Sequence, residues 1–367
     1  MVRSGRRSIF RFIHKTVLKK EAICFEKEGF QIPRGYFEEV DYLDGKLIIK
    51  GWMFLPHKKI DSILVFINKK YICETEILER QDVANVFYFI PHAKYSGFTV
   101  SLETGAEEMN GLIDIRLIGK ENGNEVAKME TWYSLNCPIK IPPAYLMKRE
   151  LNNDNVSCFR AWCFNSFRVL WESVCKFRDP KSIRTMLDWG CGCGRVINMF
   201  LNLSEIPEIH GCDIDTEAIG WCKDNFSNAR FLVNPPTPPT EYPDNFFDLV
   251  IGNSVFTHLT RDIQLAWLEE MKRIIAPGGL FLASVHGEFA MYFSFLILPA
   301  KNILAKKGIY DMLKDANLDG IAPEGYYRAT FQSQEYTKKE YGRYFEILEY
   351  VERGWMNYQD LVVMKKP

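Results

Sequence analysis

Nine consecutive residues hold most of the chemistry this chain could do: Leu187-Asp188-Trp189-Gly190-Cys191-Gly192-Cys193-Gly194-Arg195. Glycines at 190, 192 and 194 let the backbone turn tightly and approach a ligand closely. An apolar run precedes them and a helix opens after them, so the helix N-terminus can face a negative group. Asp213 follows Gly194 by 19 residues. It ends the next apolar run, where a carboxylate can accept hydrogen bonds from ribose hydroxyls. A glycine loop alone is a weak signal. Strand, loop, helix, strand and acid in this order read as a nucleotide-type cofactor site.

The elements that must position these residues are legible around them. From residue 182 the pattern alternates between strands (182–189, 209–215, 229–234, 246–252, 280–287) and helices (194–202, 216–225, 262–275). Pro277-Gly278-Gly279 is expected to stop the last helix. Such alternation predicts a parallel sheet covered by helices. Residues 344–354 and 359–367 are expected to pair as a final antiparallel hairpin. Upstream, 156–177 repeats apolar residues every three or four positions, the face of a buried helix. The proline-rich stretch 136–143 reads as a linker.

The first 135 residues read as β-rich. Short apolar or β-branched runs at 46–54, 62–68, 86–90, 98–103 and 113–118 are expected strands. Asp44-Gly45, Asn68-Lys69, Ser96-Gly97 and Asn122-Gly123 are the expected turns between them, and a small β-sandwich is the architecture this spacing suggests. The expected division is a basic helical segment 1–30, a β-sandwich domain 31–135 and a catalytic domain 136–367.

A dinucleotide fold wants G-x-G-x-x-G. Here the third glycine arrives one residue early and Arg195 takes the last slot. This loop, behind its aspartate, resembles motif I of the class I S-adenosylmethionine-dependent methyltransferases. The similarity continues through GCDID (211–215), FFDLVIGNSVFTHL (246–259) and LEEMKRIIAPGGLFLASVHGE (268–288), and covers roughly 142–367. The resemblance implies a Rossmann-like α/β fold: a mostly parallel seven-stranded sheet closed by an antiparallel hairpin. It implies S-adenosylmethionine as cofactor and S-adenosylhomocysteine as product. By the same resemblance Asp188 and Gly190 lie near the methionine end, and Cys191, Gly192 and Gly194 belong to the cofactor-binding loop. Asp213 would hold the ribose, Ile214 would pack on the adenine, and Asn234 or Pro235 would lie at the adenine edge. The family often has an acid at that edge, where this chain has Asn-Pro-Pro. Asn253 and Ser254 follow the fourth strand, where methyl group and acceptor meet.

A sulfonium methyl is already activated, so the enzyme mainly holds the acceptor in line. A hydroxyl acceptor also needs a general base. His258 and His286, near the C-terminal ends of parallel strands, are the candidates; a structural histidine is an equal reading for each. Glu288 is a weaker candidate, and Gln359-Asp360 opens the strand expected to border the acceptor pocket. No metal-ligand spacing stands out, Cys191 and Cys193 included.

The acceptor leaves a fainter mark. Residues 50–54, 63–67, Gln81-Asp82-Val83 and Ser96-Gly97-Phe98 resemble a β-sandwich module joined to enzymes of bacterial glycan assembly. Both halves together suggest O-methylation of a sugar in a surface polysaccharide or lipid-linked glycan. Two other readings stand beside it: a small-molecule methyltransferase whose N-terminal half serves homo-oligomerisation, and a cofactor-binding protein without catalysis. A glycan enzyme should expose aromatic platforms; a small-molecule enzyme should enclose an apolar pocket.

Bulk properties exclude little. The 367 residues are 47% hydrophobic and 25% charged, with a net charge of −1 that gives no reason to expect nucleic-acid binding. Residues 1–20 carry seven basic side chains and no acid, with Phe10, Ile13 and Val17 at helical spacing. They read either as a weak membrane-surface helix or as a frayed terminal helix. The start lacks an apolar run of roughly 7–15 residues, so the expectation is a cytoplasmic protein with reduced cysteines, peripheral at most to the inner membrane face. The greasy stretch 289–300 is too short to span a bilayer, which needs about 20 residues.

Overall fold

A computed structural model describes residues 26–27, 30–88, 90–294, 298–315 and 320–367. The basic stretch 1–20 and most of the expected segment 1–30 lie outside the described residues. The chain divides into two compact units. One comprises residues up to Cys137 with Arg160–Asn165; the other comprises Pro138–Phe159 with Ser166–Pro367.

The first unit is β-rich. Its strands are β1 (Glu26–Lys27), β2 (Phe30–Gln31), β3 (Arg34–Leu43), β4 (Lys46–Phe54), β5 (Ser62–Ile67), β6 (Lys70–Glu76), β7 (Leu78–Glu79), β8 (Tyr95–Glu103), β9 (Ile113–Glu121) and β10 (Asn124–Tyr133). They form two sheets, β1-β2-β10-β9-β5-β6 and β3-β4-β8-β7. Three expected two-residue turns close hairpins: both central residues have positive φ at Asp44-Gly45, Asn68-Lys69 and Asn122-Gly123, the twist-matching form. Two expectations fail here. Ser96-Gly97 lies inside β8, buried, rather than in a turn. The described residues of 86–90 form no strand: helix α1 (Gln81–Val86) covers the beginning. Val83, Phe87 and Ile90, spaced at three and four, face the core, while Val86 and Tyr88 are exposed. The period that governs burial there is helical, not alternating.

The second unit opens with α2 (Ala144–Leu151) and α3 (Val156–Phe177), followed by β11 (Thr185–Trp189), α4 (Arg195–Leu203), β12 (Glu208–Asp213), α5 (Thr216–Asn225), β13 (Arg230–Val233), β14 (Phe247–Gly252), α6 (Arg261–Ile274) and β15 (Ile275–Val285). Then come α7 (Glu288–Phe293), α8 (Leu298–Lys307), β16 (Ile309–Lys314), β17 (Arg328–Gln332), α9 (Gln334–Tyr341), β18 (Glu346–Trp355) and β19 (Gln359–Lys365). Seven strands make one sheet in the order β13-β12-β11-β14-β15-β19-β18. The first five run parallel; β19 and β18 are the antiparallel hairpin. Central β11 and β14 are buried along nearly their whole length, which is why their sequences read as unbroken apolar runs.

The expected stop of α6 at Pro277-Gly278-Gly279 needs correction. The helix ends at Ile274 because Ile275 is already extended and pairs with Phe247. The Pro-Gly-Gly stretch lies within β15, where Gly278 N donates to Lys366 O and Lys366 N to Gly279 O. Of the stretch 289–300, the residues up to Phe293 belong to α7 and those from Leu298 to α8. The pair β16–β17 and helix α9, between β15 and β18, were not anticipated. Among the described residues no helix is long and apolar enough to cross a membrane.

Candidate cofactor cleft and active site

Strand order reverses between β11 and β14: β12 and β13 lie to one side, β15 to the other. The C-terminal ends of the strands at such a reversal leave a crevice, the usual ligand position in an open α/β sheet. The glycine loop leaves β11 at that place and Asn253 leaves β14 beside it. Register brings the others to the same edge: Trp189 pairs with Cys212, Asp213 with Val233, and Asp188 with Ile251.

Each glycine of the loop has positive φ: 75° at Gly190, 51° at Gly192 and 75° at Gly194. A Cβ at Gly192 would stand 2.9 Å from Glu150 Oε2, and one at Gly190 would run into Val255. The loop is held by its own amides. Gly190 N and Cys191 N donate to Cys212 O at 2.8 and 3.1 Å, and Gly194 N to Cys191 O at 2.9 Å. Gly192 N donates to Asp213 Oδ2 at 2.8 Å, and Cys193 N to Glu150 Oε2 at 3.3 Å. All five loop amides are therefore spent within the protein. A phosphate-cradling loop would present them outward; this one has none to give an anion.

Carboxyls line the cleft instead. Asp188 is 2% exposed, and its Oδ2 is buried with no hydrogen-bond partner. Burial pushes its carboxyl up to about 8; Arg195 opposes that rise, while Glu150 and Asp213 add to it. Asp213 accepts Asp215 N through Oδ1 at 2.9 Å while holding Gly192 through Oδ2. Burial raises it to about 6, against the pull of those two amides. Asp215 caps α5 through Glu217 N and Ala218 N. Arg149 on α2 reaches Asp215 at 2.6 Å and Glu217 at 2.7 Å. Glu150, also on α2, pairs with Arg195 Nε at 3.2 Å and accepts from Cys193 Sγ at 2.7 Å.

Further polar atoms wait unpaired at this edge. Asn234 Oδ1 and both amide atoms of Asn253 are buried without partners. Buried polar atoms are nearly always satisfied, so a group of orphans along one crevice marks a ligand position. Ile214 is half-buried and Pro235 is exposed. Ser254, at φ 57°, gives its amide to Ser284 Oγ at 2.7 Å and shares a hydrogen bond with Gln359. Gln359 also takes the Ser284 hydroxyl at 2.6 Å, so the start of β19 ties the ends of β14 and β15 together. Asp360 faces away from this network: it accepts Tyr350 OH at 2.6 Å and Arg353 N at 2.8 Å. The thiols of Cys191 and Cys193 are buried and pushed well up, mainly by that burial, so both stay protonated.

The two histidines lie 6.2 Å apart, ring to ring. His258 stacks on Tyr327 at 4.0 Å, and its Nδ1 is 2.9 Å from Arg328 O and 3.6 Å from Asp315. A carbonyl can only accept, so Nδ1 carries the proton and Nε2 keeps the lone pair. His286 stacks on Phe331 and meets Tyr358 edge-on; its Nδ1 is buried without a partner. Burial pulls His258 to about 4 and His286 to about 3, so both rings are neutral at physiological pH. Glu288 is exposed at the start of α7.

Sequence spacing did not reveal Arg149 and Glu150, whose partners lie 43 to 68 residues away. Nor did it reveal Tyr326 and Tyr327, which join the two regions: Tyr326 OH donates to Pro236 O, and Tyr327 covers His258.

Comparison with known proteins bears on residues 187–283, which match a family described as "Methyltransferase domain". A Caenorhabditis elegans rRNA N(6)-adenosine-methyltransferase, metl-5, is 26% identical over 26% of this chain and 49% of its own length. A probable methyltransferase of Aspergillus luteorubrus, ltbC, is 29% identical over 30% of this chain and 43% of its own. The chain thus spans about half the length of these curated relatives. Among solved structures, the N-methyltransferase NodS of Bradyrhizobium japonicum WM9 in complex with S-adenosyl-L-homocysteine is 13% identical, covers 62% of this chain and all of its own, and superposes with a TM-score of 0.37. The matched segment begins on β11, takes in the glycine loop, Asp213 and Asn253, and ends within β15. Over those residues the chain is similar to methyltransferase domains, which supports a methyltransferase that uses S-adenosylmethionine.

Proposed function

We propose that the chain transfers a methyl group from S-adenosylmethionine to a hydroxyl of its acceptor. The observation that carries this reading is the cofactor cleft: a glycine loop with every amide spent, bordered by Asp188, Asp213 and Glu150. Such a cleft suits a cationic amino acid sulfonium with ribose hydroxyls, and refuses a pyrophosphate. Asp213 would hold the ribose, Asn234 would meet the adenine edge, and Asp188 and Asn253 would face the methionine and methyl end. S-adenosylmethionine supplies an already activated methyl, so this chain's own residues have only to bind, orient and take a proton. A neutral imidazole is the form that accepts a proton, and the lone pairs of His258 Nε2 and of the buried His286 Nδ1 suit a hydroxyl acceptor.

For the acceptor itself we favour a sugar hydroxyl of a surface polysaccharide or lipid-linked glycan. Exposed Tyr71, Tyr88 and Tyr95 on the first unit are the aromatic surfaces a sugar would stack on. A compact small molecule is the second reading, favoured by the rings of Tyr327, Phe331 and Tyr358 around the two histidines. Transfer of isotopically labelled methyl into separated pools decides between them. Label in sugar nucleotides or lipid-linked glycans supports the first, and label only in small metabolites the second. No label in any pool, with S-adenosylhomocysteine binding intact, would point to a binding protein.

A further inference from the structure

We propose that Glu150 sets the charge preference of the cofactor cleft, making it take a cationic ligand over a neutral or anionic one of the same shape. This rests on the reading of the cleft as an S-adenosylmethionine site. Glu150 lies outside the matched segment, on α2, and reaches the glycine loop from there. One carboxylate oxygen takes the Cys193 amide and thiol; the other takes the Arg195 guanidinium. The Cys193 amide and the Arg195 guanidinium are donors that an anionic ligand at the start of α4 would use. Glu150 thus acts as a built-in anion, filling the place of a phosphate or free carboxylate.

Its charge also reaches the interior. Glu150 and Asp213 both disfavour ionisation of Asp188, while Arg195 favours it. Arg149 is committed to Asp215 and Glu217 on the α5 side. Asp188 is left with a fully buried, unpartnered oxygen, an independent sign that the cleft awaits a donor or a cation. Asn234 Oδ1, buried without a partner at the other end, supplies the same sign for the adenine side. A positive sulfonium satisfies this cleft; the thioether left after methyl transfer has lost that charge. The same residue that helps capture the cofactor would therefore help discharge the product.

The test is calorimetric titration of the full chain with three probes: sinefungin, whose amine carries the positive charge, S-adenosylhomocysteine, neutral at that atom, and ADP. The wild type is expected to bind sinefungin about tenfold more tightly than S-adenosylhomocysteine, the size of one charge contact near a protein surface. ADP should not bind. Glu150→Gln should bring the two affinities within about threefold, and Glu150→Asp should keep the preference. An unchanged ratio in Glu150→Gln, or no preference in the wild type, overturns the proposal and leaves the cofactor reading standing. If Glu150→Gln fails to fold, the wild-type ratio must shrink as salt rises from about 0.05 to about 0.5 M, and a constant ratio overturns the proposal. Failure of S-adenosylhomocysteine to bind the wild type overturns the cofactor reading, and this inference with it.

Discussion

Gly192 and Asp213 are joined before any ligand arrives: the amide of the one donates to Oδ2 of the other at 2.8 Å. The bond spans two strands and couples the glycine loop to the end of β12. Asp213 also takes the Asp215 amide, which sets the cap of α5. One carboxylate thus organises both walls of the cleft. Asp213→Ala removes two charge-assisted hydrogen bonds as well as the ribose contact, each worth about 1.5–3 kcal/mol. Affinity for S-adenosylhomocysteine should fall at least tenfold by calorimetry. Unchanged affinity would mean the cofactor lies elsewhere.

The raised carboxyls make the ligand-free protein sensitive to pH. Asp188 sits at about 8 in the fold against 3.8 unfolded, and Asp213 at about 6. These two carboxyls therefore hold more protons in the folded than in the unfolded state between about pH 4 and 8, and their contribution to stability falls as pH rises through that window. The depressed histidines push the other way, so the clean readout is the difference between variants: from pH 5 to pH 8 the wild type should lose melting temperature relative to Asp188→Asn. Parallel curves for the two proteins would contradict the buried, raised carboxyl.

The histidines make the opposite demand on pH. Depressed to about 4 and about 3, they remain neutral down to mildly acidic conditions. Turnover should therefore show no histidine titration between pH 5 and 8. His258→Ala or His286→Ala should slow transfer about 10²- to 10⁴-fold, the usual size of general-base catalysis. Binding of S-adenosylhomocysteine should change little, because the ring contacts run to Tyr327, Arg328, Phe331 and Tyr358. Full turnover in both variants would remove the histidines from the mechanism.

How much of this was legible depended on how far apart the partners are. The loop from Asp188 to Gly194, its flanking β11 and α4, and Asp213 could be read because their signals are local: apolar runs, glycines where φ must be positive, an acid at a strand end. Local signals also misled. Residues 86–90 look β-branched and aromatic, yet burial there follows Val83, Phe87 and Ile90. Pro277-Gly278-Gly279 looks like a helix stop, yet the hydrogen bonds to the far end of β19 draw it into a strand.

By itself the sequence determined the α/β class of the second unit, the succession of its first five strands along the chain and the residues of its glycine loop, since each follows from periodicity and backbone freedom within a few residues. Only the tertiary structure decided which groups meet. Glu150 reaches Cys193 across 43 residues, and His258 reaches Arg328 across 70. Gln359 joins Ser254 across 105. No pattern in the chain specifies such pairs, because they arise from which strand ends the sheet order brings side by side. The charges of Asp188 and of the two histidines follow the same logic, since burial and neighbours set them.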